Sequence, residues 1–600
     1  MIEYSHPSVS ATIVDNSFFS PLPANTGTYL FACGRAKKGR DNTVVTLNNT
    51  AEALREFGEP DLDKLKDLTL YTVYRWLNGG GRVHFIRILP QDATHSNLFL
   101  SVAVASVNND RIIYPVLEAK PSMGGVGTIQ LEVESSPVVD SNGATRYTLG
   151  CFHTTSRGEN VDGLGVRIRL LNNMDNTYAF RTYALEVTGK DNTGNDSIIE
   201  GPFTVSFEPS AKDRNGESVY YANVINKYSR FLKVTATSRN IDEIRSQVNS
   251  NEEVNPLHID FLFGAERDTV DPSVADIHNQ VKFGTPLTLP NGYVGNRVTV
   301  SVASNLSSVN RLSGGSEGTW SQETQTLLLN KAYNGEIDNS VTDEKMLDID
   351  IILDSNYPAT VKRTISSFCE QVRGDCVCAL DCGFQANVDG TINYRASELG
   401  MSSYRTLIQG QDYVIDDVYT GSEIKVTSTY FMADKIATLD NTQGMQYTYC
   451  GPRRGVITGF KSINFVPNEM DKERLYRRQI NYVERDQTRT NFASQLSSQV
   501  FESALSNWNN VRSLMRIQRI VKRFAEDYKF EFNDSATLGN MNSNLNEILK
   551  AFTANRTCSS ITASIYSSGY DALNKTVRIR VDLVFTGLIE RIRIETSVNK

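Results

Sequence analysis

The chain has few of the residues that most often carry chemistry. Its 600 residues include 6 histidines, 8 cysteines and 3 tryptophans. The cysteines are too sparse for a disulfide framework and read as reduced thiols of a cytoplasmic protein. No run of about 18 apolar residues occurs, which excludes a membrane-spanning helix. The N-terminus, MIEYSHPSVSATIVDNSFF, lacks the basic segment and apolar core of a secretory signal. No histidine falls in a recognisable nucleophile–base motif, and G-x-S-x-G is absent. G-x-x-x-x-G-K-[ST] is absent too. The acidic run DIDIILD at 348–354 therefore has no phosphate loop to serve, and GSEG at 315–318 lacks the lysine.

What is present is a globular composition, 40% hydrophobic and 9% aromatic. The length implies roughly three to five domains. The net charge of −8 hides an asymmetry. From Gly451 to Lys600 there are 23 basic and 15 acidic residues, leaving 38 and 54 in the first 450. A basic C-terminal part implies an acidic partner surface or an interface between copies.

Periodicity divides the chain. Residues 1–25 read as an arm, with Val9, Ala11 and Ile13 alternating against Ser8, Ser10 and Thr12. Two prolines and a glycine follow in NSFFSPLPANTG, so the strand must pair with something distant. Residues 26–96 alternate strands (GTYLFACG, RVHFIRIL) with helices. LNNTAEALREFGEP is a short helix capped by Asn49 or Thr50 and stopped at Gly58. PDLDKLKDLTLYTVYRWLN is read as one longer helix with Pro60 in its first turn. Residues 97–255 hold short strand runs separated by Asn, Asp, Gly and Ser, as in an inserted β-sandwich-type domain or two. Residues 256–465 begin loop-rich and return to α/β, with the order strand (MLDIDIILDS), helix (ATVKRTISSFCEQVRG), strand (DCVCALDCGF) predicting a parallel pair. Residues 466–587 read as largely helical to Phe530, ending in the strand TVRIRVDLVF. Residues 588–600 form a second arm, where Ile592 and Ile594 alternate with Arg591, Arg593 and Glu595.

Three features are candidate sites. In WLNGGGRVHFIRIL the helix precedes the glycines, so the negative end of its dipole would repel phosphate; a helix stop and tight turn is the reading. Cys376, Cys378 and Cys382, with Cys369 seven residues earlier, lack zinc spacing and a nearby histidine. They read as small residues on a strand buried on both faces. Arg512, Arg516, Arg519 and Arg523 recur at helical spacing, away from most apolar residues of NVRSLMRIQRIVKRF. That row is either solvated or docks on an acidic protein surface; the mild overall charge argues against nucleic acid. No catalytic, cofactor or metal residue is assigned.

Several blocks resemble the contractile tail sheath proteins of bacteriophages. They are GTYLFACGRAKKGRDNTVVTLNNTAEALREFGEP with WLNGGGRVHFIRIL, RGENVDGLGVRIRLL, SVYYANVINKYSRFLKV, LSGGSEG, STYFMADKIATLDNTQGMQYTYCGPRRGVITGF, WNNVRSLMRIQRIVKRFAEDYKFEFND and the ending GLIERIRIETSV. The resemblance implies an α+β multidomain chain with a subtilisin-like α/β central domain, a β insertion and a C-terminal α+β assembly domain. It implies a non-enzymatic subunit of hexameric rings stacked around a tail tube, in the virion tail and assembled in the host bacterial cytoplasm. Its partners would be further copies, the tail tube, baseplate and tail terminator proteins, with no cofactor, nucleic acid or membrane insertion. The terminal strands, at Val9, Ala11, Ile13, Ile592 and Ile594, would add to sheets of neighbouring copies, and Arg512, Arg516, Arg519 and Arg523 would include tube-facing groups. A bacteriocin or secretion-system sheath, a baseplate protein and a cytoplasmic α/β enzyme are the competing readings.

Overall fold

The structure, a computed structural model, describes residues 27–107, 110–120, 126–139, 145–170, 182–191, 194–240, 286–287, 298–301 and 309–588. Its centre is a six-stranded sheet made of β1 (Tyr29–Gly34), β2 (Val44–Leu47), β3 (Arg82–Arg87), β4 (Ile351–Leu353), β5 (Val377–Asp381) and β6 (Thr406–Gln409). The spatial order is β6-β5-β4-β1-β3-β2. All neighbours run parallel except β2, which is antiparallel to β3. The expected strand–helix–strand unit is β4, helix α4 (Ala359–Ser367) and β5, and its strands pair in parallel. Cys376 and Cys378 behave as read, whereas Cys382, just past β5, packs in a different cluster with Ile408 and Leu475. Val377 and Ala379 face one apolar cluster, while Cys376, Cys378 and Leu380 face the other. The Cys369 and Cys376 sulfurs lie 3.6 Å apart, both buried and unbridged.

The glycine turn has two physical causes. Helices α1 (Thr50–Phe57), α2 (Leu62–Leu65) and α3 (Thr69–Asn78) precede it. Asn49 caps α1 and Gly58 ends it, as expected. The single longer helix does not form. Asp61 caps α2, Lys66 turns left-handed, and Asp67 accepts the backbone N–H of Thr69 to start α3 afresh. Two carboxylates that can cap outcompete continuous helix. After α3, only Gly80 of the three glycines has positive φ, +85°. Gly79 is small because α3 packs on α5 (Ser428–Thr442): a Cβ there would lie 2.7 Å from the Cβ of Ala437. Gly79→Ala is expected to cost about 1–3 kcal/mol by pushing these helices apart. Thermal unfolding would check it, and a loss below about 0.5 kcal/mol would mean that the helices separate freely.

The insertion is β-rich, but its boundary needs correction. One sheet orders Leu232–Ala236, Thr145–Thr154, Asn97–Val107, Asp110–Glu118, Val298–Ser301 and Pro286–Leu287. A four-stranded sheet orders Asp196–Val205, Tyr183–Lys190, Gly165–Leu170 and Asn310–Arg311. Residues of both sheets share one apolar cluster, including Phe152, Tyr147, Leu185 and Val187. Strands after residue 255 thus return to the insertion, which the loop-rich stretch 256–310 did not suggest. The glycines at 314–318 are structural, not a phosphate loop. A Cβ on Gly315 would lie 2.1 Å from the Gly158 carbonyl oxygen. Glu317 lies 3.3 Å from Arg35 and 3.6 Å from Arg87, and Arg157 pairs with Asp41 at 2.8 Å, tying the insertion to the core.

The end of the chain differs from the expectation of a largely helical run. Between helix Glu469–Arg477 and α6 (Trp508–Glu526) lie the paired strands Val483–Arg485 and Thr490–Phe492. Val483, Phe492, Trp508, Val511 and Met515 belong to the main core cluster. A separate cluster begins only at Ile517 and takes in Leu545, Leu549 and Phe552 of α7 (Ser535–Ala554). Helix α7 and strand β7 (Cys558–Tyr566) lie where the sequence pattern predicts neither; β7 pairs antiparallel with β8 (Arg578–Phe585), which the pattern does predict.

Candidate assembly surface

Helix α6 serves two cores. Trp508, Val511 and Met515 enter the main one, and Ile517, Ile520, Val521 and Phe524 face the C-terminal one. The arginine row falls between these faces and meets the acidic rim of the α/β core. For Arg512 and Arg519 this replaces the solvated alternative: the acidic surface they meet belongs to the same chain. The Arg512 side chain is 3% exposed and paired with Asp440. Arg519 is paired with Asp350 and lies 3.3 Å from Asp375, and it donates to the Ile349 carbonyl at 2.6 Å. Burial opposes charge on Arg519, but Asp350 and Asp375 outweigh it and raise its pKa. Arg523 remains half-exposed beside Asp348. Arg516, partly exposed, lines a cleft of about 320 Å³ with Gly27, Tyr29, Asp350 and Phe552. The same carboxylates hold the root of the N-terminal arm: Thr28 donates its hydroxyl to Asp440 at 2.6 Å, and the Tyr29 N–H donates to Asp350 at 2.8 Å.

The second feature is the β7–β8 hairpin. Ile561 and Ile565, with Ile579, Val581, Leu583 and Phe585, face α6 and α7 yet are only partly buried. The opposite face is exposed and mostly polar, with Ser564, Arg580 and Asp582 beside Tyr566 and Val584. Two strands do not cover two helices, and an isolated two-stranded hairpin is marginal by itself. The arm residues Val9, Ala11, Ile13, Ile592 and Ile594 lie outside the described residues.

A further buried ionic cluster lies within the α/β core. Lys362 on α4 lies 2.5 Å from Asp381 and 3.0 Å from Asp354, and each of the three side chains is at most 1% exposed. Backbone N–H groups of Tyr357 and Asp381 donate to Asp354, and those of Asn356 and Gly383 to Asp381. The carboxylates thus lack water access and are occupied by local donors. Among the described residues no group of three or more His, Cys, Asp or Glu is placed to hold a metal. No helix among them is long and apolar enough to cross a membrane.

The histidines and Asp354 give a regional pH dependence. Burial lowers His153 to about 4 and moves His95, 5.4 Å away ring to ring, in the same direction. A histidine buried neutral takes up a proton on unfolding, so its stabilisation is full above about pH 6.5 and falls as pH drops toward 4. At pH 5 His153 removes about 2 kcal/mol from the insertion. In the core, His84 is also lowered to about 4 by burial. Asp354, however, is raised to about 7 by burial and then by Asp381. Its sign is opposite: acidification from pH 7 to 5 stabilises it and offsets His84. Amides of 145–154 should therefore lose exchange protection at pH 5 before those of 377–381. Equal loss in both regions would contradict this assignment.

No family profile matches the chain, and no curated protein matches it. Solved structures do. The chain is similar to the sheath tail protein of Desulfitobacterium hafniense, at 10% identity and TM-score 0.47, over 98% of this chain and 100% of that one. It is similar to the sheath tail protein Lin1278 of Listeria innocua, at 10% identity and TM-score 0.47, over 93% and 95%. It is also similar to the sheath of an extracellular contractile injection system in its contracted state, at 14% identity and TM-score 0.38, over 43% and 75%.

Proposed function

We propose that the chain is the structural subunit of a contractile sheath. It polymerises as stacked hexameric rings around a tail tube, contracts on a signal from the baseplate, and so drives the tube through the host envelope. The observation that carries this reading is the under-covered β7–β8 hairpin, in a chain whose two ends each carry a one-faced strand pattern. Strand addition would cover the half-exposed apolar face and link copies through flexible tethers. The sequence resemblance supports the same reading, including the subtilisin-like description of the α/β centre. Its site is the virion tail, assembled in the host bacterial cytoplasm, with tube, baseplate and terminator proteins as partners. Arg516 and Arg523 remain candidates for tube contact; Arg512 and Arg519 are committed to holding α6 on the core. Negative-stain electron microscopy of the concentrated, untagged chain tests the proposal. Hollow striated tubes of uniform width are expected. Persistent monomers, with or without added tube protein, would overturn it.

A further inference from the structure

Helix α6 carries two unlike surfaces at its two ends. Its 19 residues span about 28 Å. Beyond its C-terminal end, the loop to α7 presents Phe530 and Phe532. Phe530 is fully exposed and holds φ at +70°, a left-handed conformation that phenylalanine rarely adopts. Asn533 donates to the Ser567 hydroxyl at 3.0 Å, which sets this loop beside the β7–β8 connection. There Tyr570 and Leu573 stand on the short helix Gly569–Leu573. Phe532, Tyr570 and Leu573 are each at least 74% exposed. Four large apolar side chains in water at one tip mark a contact surface. The tip is also acidic. Residues 526–534 set Glu526, Asp527, Glu531 and Asp534 against Lys529. Glu526 pairs with Lys345 and Lys529, and Asp534 caps α7, so Asp527 and Glu531 have no cation among the described residues. On the β7–β8 connection Asp571 pairs with Arg578, which leaves Lys575.

The other end of α6 is basic. Trp508, its first residue, packs edge-on against Tyr449, with ring centres 6.4 Å apart. Tyr449 leads into a tight turn in which the Gly455 N–H donates to the Gly451 carbonyl at 2.8 Å. The Gly451 N–H donates to the Phe492 carbonyl at 2.8 Å, and Arg489 reaches the Pro452 carbonyl at 3.4 Å. These bonds join the turn to the hairpin 483–492, and so bring Arg453 and Arg454 to Arg485 and Arg489. Arg454 lies over the Tyr447 ring, and Asp486 pairs with Arg489. Glu484 lies 3.6 Å from Lys472. Arg453 and Arg485 are exposed and have no acidic partner among the described residues. We infer that copies of this chain associate head to tail, with the Arg453–Arg485 surface of one copy docked on the Phe530–Phe532 tip of the next. A guanidinium binds the face of an aromatic ring as well as a carboxylate, so free arginines match a tip of phenylalanines and free carboxylates. Opposite ends of one rigid helix cannot meet within a molecule. A heterologous contact of this kind extends into a ring or a helical polymer and does not close as a dimer. The inference rests on the sheath reading and adds to it a contact that needs neither terminal arm.

The test uses the full-length chain, with association followed by sedimentation velocity and tube formation by negative-stain electron microscopy. Charge is reversed at one end only, by Arg453→Glu with Arg485→Glu or by Asp527→Lys with Glu531→Lys. Either pair should weaken association at least tenfold at unchanged melting temperature. All four reversals in one chain should restore it, because each junction again sets opposite charges together. Phe530→Ser with Phe532→Ser should weaken association at least tenfold in the original and in the fourfold-reversed background. Association and tubes unaffected by the one-ended reversals, or not regained in the fourfold variant, overturn the contact and leave the sheath reading standing. Tip variants that lose tube protein but still self-associate normally would place the tip on the tube, and overturn the contact too. An unaltered chain that stays monomeric by both methods, with or without tube protein, overturns the contact and the sheath reading together.

Discussion

Replacing Lys362 by Met is expected to destabilise the α/β core by about 3–5 kcal/mol. Lys362 is the cation for two carboxylates that water does not reach. Its ammonium also donates to the Asp381 carbonyl at 2.9 Å and lies 5.4 Å from the Tyr394 ring. Removing it leaves Asp354 and Asp381 facing each other at the ends of adjacent parallel strands. Asp354 is already pushed up by burial and then by that neighbour. The variant must protonate both or admit water. A melting transition lower by on the order of 10 °C follows for a domain of this size. Adding Asp354→Asn and Asp381→Asn to Lys362→Met should recover part of the loss, because neutral amides leave no buried charge. A loss below about 1 kcal/mol in the single variant would show that the carboxylates are solvated.

Deleting Leu588 to Lys600 is expected to leave a folded chain that no longer polymerises. The described core clusters end at Phe585, so none of their apolar residues is removed. What is removed is one amphipathic strand with Ile592 and Ile594. Five or six ladder hydrogen bonds at about 1 kcal/mol each, with two buried isoleucines, give roughly 5–10 kcal/mol per junction before entropy is subtracted. Losing that term lowers polymer yield by orders of magnitude while the melting temperature stays within about 2 °C. Sedimentation with thermal unfolding measures both. Normal polymers from the truncated chain would sink the strand-exchange mechanism.

Local chemistry was legible wherever one residue type dictates one conformation. Asn49 and Gly58 bound α1 because a side-chain cap and a left-handed stop are local events. The alternation of Cys376, Cys378 and Leu380 placed them on one face of a buried strand, where they are found. The break at Lys66 was missed because Asp61 and Asp67 can cap as well as continue a helix, and the apolar spacing is the same either way. Strand β7, CSSITASIY, was missed because its solvent face is mainly serine and threonine and only Ile561 and Ile565 mark the other face as strongly apolar.

By itself the sequence determined the α/β centre, the β-rich insertion, the helix stop at the glycines and the one-faced pattern of both chain ends. Each depends on period, composition or a single cap, all of which are properties of neighbouring residues. Only the tertiary structure decided the fate of the arginine row and of the hairpin edges. Arg512 meets Asp440 and Arg519 meets Asp350 across 72 and 169 positions of chain. Periodicity gives the angle at which a side chain leaves its helix, but what it meets there depends on packing between distant segments. Asn546 of α7 bonds the backbone N–H and carbonyl of Ala563 and so closes one edge of a sheet to which it does not belong, and no pattern within either strand records that.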